Sequence, residues 1–277
     1  MLGTGHAMVF ECFNTCFVYE NENGKLLVDT GGGNGLLLRL RQAGIDQSDI
    51  RAVFISHRHT DHICGLPWLF RGGPGMGEGI DFYLHPDVLR VARGMQELLF
   101  PDEAERQSQN LRFHEIHDGE RGEILGRPVT FLDLHSPNVP QFGFRMTLED
   151  GGDFVFHGDV PFHERNRDRL TGAKWLMHEA FHLSTETMGP PGGPGGKGGP
   201  GGPPPGGKGP GGKGGPGHST VKQAAEYAKS LAAEHLILVH GSDNDLETRK
   251  ARYTAEARTA FDGPIYVPDD LEVIDLG

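Results

Sequence analysis

The sequence predicts an α+β fold in which two β-sheets pack face to face with helices outside them. Three observations carry that expectation. Short apolar runs bounded by turn residues recur along the chain, as strands require. From about residue 112 to 160 these runs follow one another with only turns between them, such as Glu149-Asp150-Gly151-Gly152. Helical patterns occur in both halves but do not alternate regularly with strands, so a sandwich fits better than a doubly wound parallel sheet.

Taken in order, residues 15–19 and 25–28 are strands separated by the turn-forming Asn21-Glu22-Asn23-Gly24. Residues 36–43 form a helix that Gly44 stops. The run Arg51-Ala52-Val53-Phe54-Ile55-Ser56 is a buried strand, and 80–84 is another. A helix begins at Pro86 and continues to about residue 100. Proline suits a first helical turn because its missing N–H would be unpaired there anyway. After the strand-rich middle, 174–177 is a strand leading to His178. The helix over 219–233 has Ser219 or Thr220 as N-cap; 235–239 is a strand, 245–261 a helix and 271–276 a final strand.

The 277 residues carry 26 Lys and Arg against 38 Asp and Glu, a formal charge of -12. That balance argues against broad, nonspecific nucleic-acid binding, which needs a basic surface, although metal ions could still create a local cationic site. No apolar run approaches the ~18 residues of a membrane span, and the N-terminus lacks a signal-peptide pattern, so a cytoplasmic protein without a membrane partner is expected. Three Cys are too few for a disulfide framework. Residues 189–217 consist of 17 Gly, 9 Pro and 3 Lys. With no apolar side chain the tract cannot contribute to a core, and it is read as a disordered insertion in a single domain spanning 1–277.

Fifteen His make metal or proton chemistry the first suspicion. The strongest signal is His57-Arg58-His59-Thr60-Asp61-His62, directly after the 51–56 strand. Such a density of borderline nitrogen and hard oxygen donors suits zinc, especially two zinc ions sharing the loop. Downstream, His135, Asp159 and His240 each follow an apolar strand, where one sheet edge could gather them.

These residues resemble the metallo-β-lactamase superfamily, whose H-x-H-x-D-H hallmark matches 57–62 and whose Asp-Thr-Gly turn matches Asp29-Thr30-Gly31. The resemblance implies a four-layered αββα sandwich. It implies that one zinc takes His57, His59 and His135, that the other takes Asp61, His62 and His240, and that Asp159 bridges them. His59 stands where flavo-diiron oxygen reductases have Glu, which favours hydrolytic zinc over redox iron. Within the superfamily the chain resembles ribonuclease Z, the tRNA 3′-processing endonuclease family. Leu2-Gly3-Thr4-Gly5, His135-Ser136-Pro137 with Gln141-Phe142-Gly143-Phe144-Arg145, His178-Glu179-Ala180-Phe181 (H-E-A-T there) and His218-Ser219-Thr220 (H-S-T) carry that likeness. Two features depart from it. Only residues 136–158 separate His135 from Asp159, too few for the family's long tRNA-clamping arm, and an Arg-Tyr pair comes late, as Arg252-Tyr253.

By this resemblance the chain is a zinc-dependent phosphodiesterase with two Zn²⁺ per chain, acting on precursor tRNA or a smaller phosphodiester, and a homodimer. Asp61, Glu179 and His218 are its catalytic residues, with His218 donating a proton to the leaving alkoxide while Glu179 orients it and keeps it cationic. A hydrolase of amide, lactone or thioester bonds on the same scaffold is the alternative, and a non-catalytic binding protein is the third. His6 and His157 adjoin motif residues and are candidates to support a ligand ring. His85, His114, His117, His163, His182 and His235 read as structural or exposed. Cys12 and Cys16 alone make no metal site, and Cys64 reads as a small buried residue.

Overall fold

A computed structural model describes residues 1–70, 79–103, 110–186 and 217–277. Its first sheet runs β1 (Phe17–Asn21), β2 (Gly24–Val28), β3 (Ile50–Ile55), β4 (Ile80–Leu84), β5 (Leu111–Glu115). β1 is antiparallel to β2, and the other neighbours are parallel. The second sheet contains β6 (Arg121–Ile124), β7 (Arg127–Asp133), β8 (Phe142–Thr147), β9 (Asp153–Phe156), β10 (Trp175–Glu179), β11 (His235–Val239) and β12 (Ile265–Tyr266), in the order β12-β11-β10-β9-β8-β7-β6. β6 to β9 are antiparallel, and β9 to β12 are parallel.

Period-two alternation explains the layering, because successive side chains of a strand leave it on opposite faces. On β3, Ala52 and Phe54 face the other sheet while Val53 and Ile55 face helices. On β11, Ile237 and Val239 point inward while Leu236 and Leu238 point outward. Between the sheets the core is strongly aromatic: Phe54, Phe131, Phe144, Phe154 and Phe156 are all buried. Phe54 meets Phe144 edge-on, with centroids 5.0 Å apart, a favoured arrangement for aromatic pairs. Outside the first sheet pack α1 (Gly35–Gln42), α2 (Thr60–Ile63), α3 (Leu66–Phe70) and α4 (Pro86–Leu99), through Leu36, Leu40, Leu66, Leu69 and Val88. After the short α5 (Arg167–Leu170), α6 (Val221–Ser230) and α7 (Leu246–Ala257) cover the second sheet through Val221, Ala224, Ala228, Tyr253 and Ala257. The result is the expected four-layered αββα sandwich.

Local signals place the elements well. Gly44 adopts the left-handed conformation (φ 71°) that closes α1. Thr220 caps α6 in a reciprocal box: its side chain accepts from the Gln223 N–H, and the Gln223 side chain accepts from the Thr220 N–H. Residues 136–158 are taken up by β8, β9 and their connections. The expected strand at 271–276 is not formed. That segment bonds instead across the sandwich edge, with the Leu271 N–H donating to the Met1 carbonyl and the Leu276 carbonyl accepting from Trp175 Nε1. The short β12 takes the place beside β11. Apart from Gly217, the 189–217 tract lies outside the described residues.

Candidate metal centre

Five of the predicted site residues, four ligands and the catalytic Glu179, stand at the C-terminal ends of strands. His57 follows β3, His135 follows β7, Asp159 follows β9, Glu179 closes β10 and His240 follows β11. Within each sheet the parallel strands bring these ends to one edge. α2 begins at Thr60 and presents Asp61 and His62, while His59 stands immediately before it. Three non-glycine residues here have left-handed backbones: Asp29 (φ 56°), His135 (φ 56°) and His240 (φ 58°). Such residues are uncommon outside Gly, Asn, Asp and His and gather where surrounding structure overdetermines them.

Ligand-type atoms converge in three overlapping groups: His57, His59 and Asp159; Asp61, His62 and His240; and Asp159, His218 and His240. Nε2 of His57 lies 2.8 Å from Nδ1 of His59. Asp159 touches both sides of the cluster: Oδ1 is 3.6 Å from His57, while Oδ2 is 3.5 Å from His62 and 3.3 Å from His240. Asp61 Oδ2 lies 3.2 Å from His62 and 3.5 Å from His240. Nε2 of His62, both ring nitrogens of His240 and Oδ1 of Asp159 are buried without a hydrogen-bond partner. Unpaired buried polar atoms cost about 1–3 kcal/mol each. Imidazole nitrogens and carboxylates converging in this way form the donor set that divalent zinc prefers.

Electrostatics sharpen the picture. Burial and neighbouring imidazoles push His57 well below its usual pKa, despite Asp159. At His62 burial works the same way but is overcome by Asp61, Asp29 and Asp159, which hold the ring well above its usual value. Asp61 and Asp159 are buried, which would favour their neutral forms, yet the surrounding imidazoles hold both far below the ordinary carboxylate range.

A buried network orients these rings. Asp29 accepts from the Ser56 N–H and Ser56 Oγ, both at 2.7 Å, and its Oδ2 lies 2.7 Å from His62 Nδ1. Ser56 Oγ in turn lies 3.0 Å from His57 Nδ1. Asp29 therefore meets His62 Nδ1 directly and His57 Nδ1 through Ser56, while Nε2 of His62 faces Asp61 and Asp159 and Nε2 of His57 faces His59. The amino-terminal segment secures His240. Thr15 Oγ1 accepts from the His240 N–H, and Thr4 and Gly5 pair with Gly241. Gly3 must lack a side chain, since a Cβ there would lie 2.2 Å from the Asn14 carbonyl oxygen.

Beside the cluster, Glu179 is fully buried and accepts from the Ser219 N–H at 2.7 Å, and its Oε2 lies 2.7 Å from His218 Nδ1. Burial works against a charge on His218, but the Glu179 hydrogen bond and charge, with Asp159 and Asp61 beyond, raise its pKa to about 9.

The sequence matches the family described as beta-lactamase superfamily domain over residues 25–241. The chain belongs to that superfamily. Among curated proteins, this superfamily member is 26% identical to ribonuclease Z of Mycobacterium sp. (strain KMS) over 272 residues, covering 90% of this chain and 85% of that one. Its fold is similar to the metallo-beta-lactamase fold protein YhfI from Bacillus subtilis (TM-score 0.72, 17% identity, 97% and 94% of the two chains). It is also similar to human tRNase Z, short form (TM-score 0.65, 21% identity, 100% and 98%).

One expected ligand of this superfamily member, His135, is outside the three tight groups; its Nδ1 lies 3.5 Å from Asp133, and its ring meets that of His163 at 5.0 Å. Asp29 and Ser56 also belong to the site, and of the two only Asp29 carries a sequence signal, the Asp-Thr-Gly turn. His157, expected as a support, stacks on His178 at 4.5 Å behind the site, and His6 stacks on Phe181 at 4.3 Å. His85 is buried against Phe142, whereas His114 and His117 are on exposed surface. Tyr253, from the late Arg-Tyr pair, donates to the Phe181 carbonyl and accepts from the Ser242 N–H.

Proposed function

We propose that the chain is a dinuclear zinc hydrolase of phosphodiesters, of the ribonuclease Z type. His57, His59 and His135 would hold one ion, Asp61, His62 and His240 the other, and Asp159 both. Bound zinc supplies a nucleophile at neutral pH and neutralises charge on a transferring phosphoryl group. The observation that carries the reading is the Glu179–His218 pair. It stands beside the donor cluster, and its geometry suits protonation of an alkoxide leaving group. His218 brings the proton, Glu179 fixes its Nδ1 side and keeps it cationic, and buried Asp61 is held ionised to orient the attacking water. A thioester hydrolase, whose thiolate leaves without protonation, has little use for that donor.

The substrate is precursor tRNA or a smaller phosphodiester, handled by a single-domain, cytoplasmic protein. Among the described residues no helix is long and apolar enough to cross a membrane. The deciding experiment incubates purified, zinc-loaded protein with a 3′-extended tRNA and separately with a small chromogenic phosphodiester. Cleavage of either supports the reading. Turnover of lactones or thioesters with neither diester cleaved would replace it.

A further inference from the structure

Phe181 occupies the position at which the resembled H-E-A-T segment has Thr. Its ring is half-buried and stacks on that of His218, with centroids 4.6 Å apart and planes inclined at 26°. It also stacks on His6, at 4.3 Å and 21°. His6 is itself held, because its Nδ1 accepts from the Met8 N–H at 3.1 Å. The Phe181 backbone is a junction of three site segments. Its N–H donates to the Ser219 carbonyl, and its own carbonyl accepts from the Ser242 N–H and from the Tyr253 hydroxyl.

A hydrogen bond to one ring nitrogen fixes a point, not a plane. The Glu179 contact leaves the tilt of the His218 imidazole to its ring neighbours, of which Phe181 at 4.6 Å is nearer than His240 at 5.5 Å. A flat neighbour on the ring face fixes that tilt, and functional groups need such support to be held within tenths of an ångström. We infer that Phe181 is a positioning residue: its ring sets the plane of His218 and thereby the direction of Nε2. For its kinetic consequence this rests on the proposed phosphodiesterase reading; the ring geometry does not.

The test compares Phe181→Leu and Phe181→Met, which keep an apolar side chain but remove the flat face, with Phe181→Tyr, which keeps it. Zinc content and melting temperature screen each variant for folding, and either non-aromatic variant suffices. The first readout needs no activity: the ring ¹⁵N signals of His218 at fixed pH. One sharp set is expected in the parent and in Phe181→Tyr, with exchange-broadened signals in the other two. Signals as sharp as the parent's in a folded non-aromatic variant would overturn the inference.

The second readout is kcat on diesters with poor and activated leaving groups. We expect about a tenfold loss on the poor one, little change on the activated one and no further loss in a His218→Ala background. Equal losses on both diesters, or full additivity with His218→Ala, would also overturn it. Should the parent cleave no diester at all, the phosphodiesterase reading fails and the ring signals alone decide on Phe181.

Discussion

Oδ2 of Asp29 lies 2.7 Å from Nδ1 of His62, and the same carboxylate reaches His57 through Ser56 Oγ. Supporting contacts of this kind fix a ligand ring's orientation and typically change metal affinity by about 10–100-fold when removed. Asp29→Asn keeps a residue that tolerates the left-handed backbone while removing the charge. Zinc affinity, measured by competition with a chelator, should fall within that range with the circular-dichroism spectrum unchanged. Undiminished affinity would deny Asp29 its supporting role.

Metal content tests the donor set directly. Elemental analysis of protein expressed in zinc-replete medium should give close to two zinc ions per chain. His59→Ala should lose metal and activity together, since it removes a ring that approaches His57 to 2.8 Å. A fully active His59→Ala protein would remove that residue from the ligand set.

His218→Ala should keep its metal and lose turnover selectively. General acids contribute about 10²–10⁴-fold, and substrates with activated leaving groups need them least. Rates on a poor leaving group should therefore drop much further than rates on a nitrophenyl diester. Equal drops would take His218 out of the donor role.

Away from the donor cluster, His85 offers a test in acid. Burial lowers its pKa from 6.5 to about 4, against the pull of Asp87 and a hydrogen bond with the Ser56 carbonyl. An imidazole whose folded pKa lies below its unfolded value binds protons more readily when unfolded. Its contribution is thus fully present above pH 6.5 and is lost as pH falls toward 4, by about 3 kcal/mol in all. Nε2 of His85 has no partner, and the ring stacks on Phe142 at 4.7 Å. His85→Phe should therefore fold and show a shallower loss of stability between pH 6.5 and 4 in denaturant titrations. An unchanged pH slope would mean that other groups carry the acid sensitivity.

Deleting the Gly/Pro/Lys tract tests a reading that rests on composition alone. Its three Lys are its only charges on an otherwise acidic chain, and no apolar side chain is lost with it. Melting temperature and zinc content should hardly change. If the lysines guide polyanions, catalytic efficiency should fall on tRNA but not on a small diester, and the gap should narrow at high salt. Identical tRNA rates with and without the tract would make it a passive connection.

What the sequence disclosed follows from how locally each feature is encoded. Residues 57–62 crowd four ligand-type side chains into one loop, so their chemistry is readable without a fold. The β3 and β11 runs announce themselves by length and apolarity, and α6 by its capping residues. Asp29 is different. Its value lies in a left-handed turn and in neighbours at positions 56 and 62, which no local pattern exposes. The 271–276 segment misled for the opposite reason: its alternation is strand-like, but whether it pairs depends on which sheet edge is open to it. Phe181 differs from the resembled motif by one residue, and only the fold sets its ring against His218.

The left-handed backbones at Asp29, His135 and His240 carry an evolutionary consequence. At each position a side chain is screened twice, once by what it binds and once by whether its Cβ tolerates that conformation. Bulky and β-branched residues fail the second screen before the first is reached. The substitutions open to drift are chiefly Asn, Asp, His and Gly. Two of those are themselves common metal ligands, so a single change at His135 or His240 tends to exchange one ligand type for another or to delete it cleanly, and one at Asp29 to weaken the support of His62, while the turn stays in place.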